Sequence, residues 1–310
     1  MALDRALLQA GVLLLISLAV APACETTPTP SENTEALAPL PDPDPPASPV
    51  LRRLTRSQYV NAIHDLFGEE VAVPSGLEPD GTAHGLIAAG SAVTSVSPLG
   101  TERYANAAAA IIEQVLEETE LREALLAPCA DPAQMEGGCP AALAEHWGPL
   151  IWRRPLQQSD LDRLAALGDE AAEVMGTVDA GATSVLTALL QSPFFLYRIE
   201  TGEESEEGGA RRHTGTEMAS RLAFFLWDGP PDAELLAAGA SGELLTDEGL
   251  NGQVERLLEH PRSRRAVRSL FADWLELHTL DGLTKDPTIF KHYSPDLGQS
   301  AREETLLLAE

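Results

Sequence analysis

Basic residues are scarce in this 310-residue sequence. Lys and Arg total 21 against 48 Asp and Glu, a formal net charge of −27. Phosphate backbones are held by clustered cations, so no nucleic-acid partner is expected. The same charge disfavours docking on anionic lipid headgroups. Cysteine is also sparse, at three. There is no Cys-x-x-Cys-His, which excludes covalent haem by that motif. Gly-x-Ser-x-Gly, His-Glu-x-x-His, a phosphate loop and a dinucleotide fingerprint are all missing. No cofactor or metal is expected on these grounds. Sustained period-two alternation is hard to find, and no repeat of fixed period is evident. What is present suffices for a core: 44% of residues are hydrophobic and 22% charged.

Residues 1–23 read as a signal peptide. Arg5 gives a weak positive start, offset by Asp4. Leu7 to Val20 is apolar but for Gln9, Gly11 and Ser17, and Ala21-Pro22-Ala23 supplies small residues before Cys24. The run is short for a span, which needs about 20 apolar residues; an uncleaved anchor is the alternative. A cysteine directly after a small-residue site resembles a bacterial lipobox, although Ala21 stands where Leu is usual and Pro22 is unusual. Lipidation of Cys24 is the preferred expectation, and ordinary cleavage after Ala23 the alternative. The chain is then exported, as a periplasmic or outer-membrane-tethered lipoprotein whose membrane partner is reached through the lipid.

Glu25 to Val50 holds eight prolines and five acids with no basic residue. Such a segment cannot pack, and residues 24–50 are expected as an extended, partly polyproline II tether. Cys129 and Cys139 bracket a turn-rich loop that a disulfide could close; two unpaired thiols are the alternative. Zinc is disfavoured because no second pair of ligands sits at suitable spacing. A Cys129–Cys139 pair leaves Cys24 as the odd thiol, which lipidation would consume.

Leu51 to Glu310 carries 20 basic and 42 acidic residues, with helical apolar spacing almost throughout. The fold class expected is all-α: a multi-helix bundle of two or three packed subdomains after the leader and a disordered linker. Thr55 and Gln58 form a capping box, followed by Tyr59, Ile63, Leu66 and Phe67 on one face and Gly68 as a stop. His64 reads as a surface or satisfied histidine. Residues 69–100 read as an irregular loop, with His84 in a glycine context and not expected as a ligand. Thr101 to Leu126 reads as one long helix. Pro140 starts another that runs to Trp152, and Ser159 caps the next, with Leu161, Leu164 and Leu167 inward. Asp179 precedes a further helix, broken at Ser192-Pro193. Residues 201–212 read as an acidic linker. Thr214 and Glu217 form a second capping box, ahead of an inner face of Met218, Leu222, Phe225 and Leu226. Helices are also expected after Asp232, after Thr246, from Pro261 to Leu277 and from Pro295 to Glu310. Arg262, Arg264, Arg265 and Arg268 crowd the first turns of the third of these against its dipole, so external carboxylates or an anion should compensate.

Several phrases carry a family resemblance. Leu51-Arg52-Arg53-Leu54-Thr55-Arg56-Ser57-Gln58-Tyr59 with Asp65-Leu66-Phe67-Gly68 resembles the opening of domain of unknown function 1587. Arg153-Arg154-Pro155-Leu156 and Ser192 to Glu200 resemble domain of unknown function 1595. Ala219 to Trp227, Pro231 to Leu236, Trp274-Leu275 and Arg302 to Thr305 are similar to the start of domain of unknown function 1592. The segments expected are 51–127, 128–200 and 213–310, the last incomplete. Relatives of this type are exported bacterial proteins that usually continue further, some with a c-type cytochrome module. The chain is thus expected to be truncated. The resemblance brings no established catalytic residues.

Three functions follow. The first is a non-catalytic, surface-tethered helical protein of the envelope, binding or assembling with a protein partner, redox partners included by analogy with haem-bearing relatives. The second is an exported hydrolase acting on a polymer through paired carboxylates. The third is a peripheral electron-transfer component borrowing a partner's haem. No catalytic residue is assigned. The expected sites are Cys24 for lipidation and Cys129 with Cys139 for the disulfide.

Overall fold

Thr55 opens the first long element. Its hydroxyl accepts from the Gln58 N–H, and the Gln58 side chain accepts from the Thr55 N–H. α1 (Arg56–Phe67) therefore begins with the closed capping box its sequence called for. Tyr59, Ile63 and Phe67 are buried along one face, and Gly68 ends the helix at φ +111. The structure, a computed structural model, describes residues 50–130, 138–204 and 211–310. The expected leader, Cys24 and all but the last residue of the expected tether lie outside the described residues. So do 131–137 in the cysteine loop and 205–210 in the acidic linker.

Before α1 comes β1 (Val50–Arg53), and after it α2 (Ile87–Gly90), α3 (Pro98–Glu117) and α4 (Thr119–Leu125). The long helix expected from Thr101 starts earlier and is broken. Ser97 caps it, with Pro98 in its first turn, and extended backbone at Glu118 separates α3 from α4. Then come α5 (Cys139–Trp152), α6 (Gln158–Met175), α7 (Val178–Gln191) and α8 (Pro193–Leu196). Gln157, not Ser159, caps α6, paired with Asp160, and Thr177 caps α7. Leu164 is buried as expected, but Leu167 is exposed.

β2 (Tyr197–Glu200) follows α8 and pairs antiparallel with β1, Val50 opposite Glu200 and Arg53 opposite Tyr197. The expected linker contains β3 (Glu203–Glu204) and β4 (Arg211–Arg212), also antiparallel. α9 (Gly215–Leu226) opens with the expected Thr214–Glu217 capping box. α10 (Ala233–Ala240), α11 (Asp247–Glu259), α12 (Ser263–Trp274) and α13 (Leu297–Ala309) complete the described residues. The architecture is all-α, with the two short strand pairs as clasps.

One large apolar core draws Tyr59, Tyr104, Ile111, Leu143, Trp147, Leu186 and Phe195 from α1, α3, α5, α7 and α8. The stretches 51–127 and 128–200 share it. Tyr59 sits at its centre, its ring 5.4 Å from Tyr104 and 5.5 Å from Phe195. Cys129 and Cys139 are joined by a disulfide at the edge of this core, with Cα atoms 4.8 Å apart. A second, smaller core consists of Ala219, Ala223, Trp227, Leu235, Ala238, Leu244 and Leu257. The expected inner face of α9 is therefore rotated. Phe225 is 74% exposed, while Phe224 and the small Ala219 and Ala223 point inward. Small residues win there because the backbones come close: a Cβ on Gly215 would overlap the carbonyl oxygen of Gly239 in α10.

Two stability changes follow. Replacing Cys129 and Cys139 by Ser should cost about 2–3 kcal/mol in the chain-entropy model, read from urea denaturation. Gly215→Ala should cost about 1–3 kcal/mol, as overpacking does, whereas Phe225→Ala on the outer face should move stability by less than about 0.5 kcal/mol.

Candidate functional site

The larger cleft, of about 700 Å³, lies where α1 and the α2 region meet α12, the turn after it and α13. The turn after α9 places its most unusual side chain. Asp228 takes φ +50 directly after Trp227, a left-handed conformation that Asp and Asn tolerate better than most residues. That turn buries Asp228 to 4% exposure. Asn61 of α1 donates to the Asp228 backbone carbonyl at 2.8 Å and reaches its carboxylate at 3.4 Å. Burial pushes the carboxyl up from 3.8 to about 6, against the opposing pull of donors on Ser57, Gln58 and Ser269 and of the Arg198 charge.

Its neighbours are already engaged. Asp80 accepts from the Arg56 N–H at 3.0 Å and lies 3.4 Å from the Arg53 guanidinium; burial nonetheless holds its pKa above the ordinary value. Asp273 of α12 accepts from the backbone N–H groups of Ile87 and Ala88 at 2.6 and 2.9 Å, which caps α2. Arg265 pairs with Asp65 at 2.8 Å, Arg262 approaches the same carboxylate at 3.6 Å, and Arg268 pairs with Glu303 and Glu310 at 2.6 and 2.7 Å. The basic start of α12 is thus compensated by carboxylates from α1 and α13, as its sequence demanded. His278 also lines the cleft, with a buried Nδ1 that has no hydrogen-bond partner among the described residues.

The sequence-derived candidates fall elsewhere. His64 meets the Val71 carbonyl at 3.2 Å, a satisfied histidine. His84 sits at φ +55 in a tight turn between Ala83 and Leu86. The cysteine pair belongs to the first core, away from the cleft lining, and Cys24 lies outside the described residues. Sequence reasoning missed Asp228. Asp228-Gly229 signals a turn, but its burial depends on α1, far away in the chain. Among the described residues no group of His, Cys, Asp or Glu could hold a metal ion.

Fold and cleft together give an all-helical protein with a polar cleft lined by charged groups of both signs, several of them paired. Three family models match the chain: Protein of unknown function (DUF1587) over residues 52–117, Protein of unknown function (DUF1595) over 139–200 and Protein of unknown function (DUF1592) over 214–310. The chain carries these three domains in that order. No curated protein and no solved structure matches it.

Asp228 generates a signed pH effect. Its folded pKa of about 6 lies above the unfolded 3.8, so between those values the folded state binds more protons. The stability this group contributes is full below pH 3.8 and declines as pH rises through 6, by about 3 kcal/mol at about 1.4 kcal/mol per unit. Asp228→Asn keeps the backbone conformation and removes the titration. The stability of wild type minus that of the variant should fall by about 3 kcal/mol between pH 3.5 and 7.5 in urea melts. Parallel curves would contradict this account.

Proposed function

We propose that this chain is a non-catalytic binding protein of the bacterial envelope, exported and tethered through a lipidated Cys24. The observation that carries the binding reading is the state of the larger cleft. Four of its charged groups, the carboxylates of Asp80 and Asp273 and the guanidinium groups of Arg265 and Arg268, are committed to caps and ion pairs. Asp228, pushed up to about 6 by burial, is met by donors on Ser57, Gln58 and Ser269 and by the Arg198 charge. Such a cleft can hold a polar ligand, and the carboxylates of Asp80 and Asp273 are tied to backbone N–H groups rather than free to serve as the second acid of a glycoside hydrolase.

Export is supported by the disulfide, since such bonds persist mainly in oxidising compartments. No helix among the described residues is long and apolar enough to cross a membrane; in this reading a lipid on Cys24 supplies the attachment. An envelope protein partner is supported by large apolar side chains left exposed on and near α12 and α13, Leu270, Trp274, Ile289 and Leu308 among them.

The test is expression of the full chain in a Gram-negative host with an alkyne-tagged palmitate. The product should be labelled and membrane-associated, and Cys24→Ser should lose both properties. A soluble cytosolic product with its leader attached would overturn the reading. A photo-cross-linker at Trp274 should give one adduct of defined mass; an unmodified monomer throughout would count against the partner.

A further inference from the structure

A second cleft, of about 520 Å³, opens between the end of α5, the α8–β2 turn and the start of α9. It is basic on a chain that is otherwise strongly acidic. Arg153, Arg154, Arg163 and Arg198 line it against Asp160 and Glu217, four positive charges to two negative, while the whole chain stands at −27.

Both carboxylates are spent on structure. Asp160 takes Arg154 at 2.9 Å, Arg163 at 3.0 Å and the Gln157 N–H at 3.3 Å. Glu217 takes the N–H groups of Thr201, Gly202 and Thr214 at 2.8, 2.9 and 2.8 Å. The arginines are less well matched. Arg153 is 4% exposed and gives its hydrogen bonds to the backbone carbonyls of Ile151, Phe194, Phe195 and Tyr197. No carboxylate neutralises it among the described residues. Arg198 donates no hydrogen bond among the described residues. The nearest carboxylate oxygen, on Glu200, is 3.7 Å away, too long for one, and the other Glu200 oxygen is held by Arg221 at 2.8 Å. The Nε atoms of Arg154 and Arg198 are buried without partners. Arg153 and Arg198 flank one Phe224 ring, their guanidinium carbons 5.4 and 5.5 Å from its centroid.

Arg198, largely buried, has only a loose ion pair with Glu200 at 3.7 Å, and Arg153 beside it has no carboxylate among the described residues. The pair of cations is under-compensated, and a further anion would be favoured there. We propose that this cleft binds a small ligand carrying one oxyanion group, a carboxylate or a phosphate ester, between Arg198 and Arg154. Charge-assisted bonds to the two guanidinium groups would supply the affinity, and the Ser220 and Thr216 hydroxyls also line the cleft. The surrounding negative field selects against polyanions, which confines the ligand to a small molecule. The lining of this cleft does not include Asp228, although the Arg198 charge reaches that carboxyl, and the proposal does not depend on the reading given above.

The experiment is calorimetric titration of the full chain with inorganic phosphate, with glucuronate and with uncharged glucose, at constant ionic strength. Phosphate or glucuronate should bind and glucose should not; the tighter of the two identifies the oxyanion. Arg198→Gln should weaken binding about tenfold or more, the loss of a charge-assisted contact. Arg163→Gln, on the exposed rim, keeps the test open if Arg198→Gln does not fold, and should weaken binding about two- to fivefold. Arg122→Gln removes the same charge away from the cleft and should leave affinity unchanged. The proposal fails if neither anion binds, if glucose binds equally well, or if the cleft variants bind as wild type does.

Discussion

The buried guanidinium of Arg153 is the constraint on which most of the arrangement rests. It lies at the end of α5 in a left-handed conformation, which stops the helix and turns its side chain inward. From there it ties four carbonyl oxygens of the α5 terminus and the α8–β2 turn to one planar group. Three of those carbonyls belong to the short α8–β2 turn, and leaving such groups buried and unpaired would cost about 1–3 kcal/mol each. With the turn fixed, β2 meets β1, and Leu54 follows by donating its N–H to the Leu196 carbonyl at 2.8 Å. The first core is thereby closed between the segments at Leu54 and Leu196.

The same residue links the cores. Phe224 is buried under Arg153 and Arg198, so α9 packs its inner aromatic against cations instead of aliphatic side chains. This arrangement explains why Phe225, the apparent core residue of the helical pattern, lies outside. A ring over two guanidinium groups gains cation–π attraction, and Phe224 is the position that can reach them. Arg262 repeats the theme, 4.7 Å from the ring of the buried Trp227.

Legibility in the sequence followed the range of each interaction. Both capping boxes, Thr55 with Gln58 and Thr214 with Glu217, were readable because each closes within four residues. The Asp232 and Thr246 caps were readable for the same reason. The need for carboxylates around Arg262, Arg265 and Arg268 was readable as unbalanced charge, although nothing local named Asp65 or Glu303 as the partners. β1 and β2 escaped notice because four-residue strands carry too little alternation and pair across most of the body. The break at Glu118 escaped because Glu is a good helix former and nothing in the local sequence signals the extended backbone there. Asp228 showed as a turn, not as a buried carboxyl, since its cover comes from Asn61 and from α12.

The contact between Gly215 and Gly239 bears on how this part of the chain can vary. Where α9 and α10 cross, peptide groups meet with no side chain between them, so their spacing is dictated by main-chain atoms. Larger inward residues cannot be traded for smaller ones across that crossing. Substitution in the last third of the chain is left to its outward surfaces.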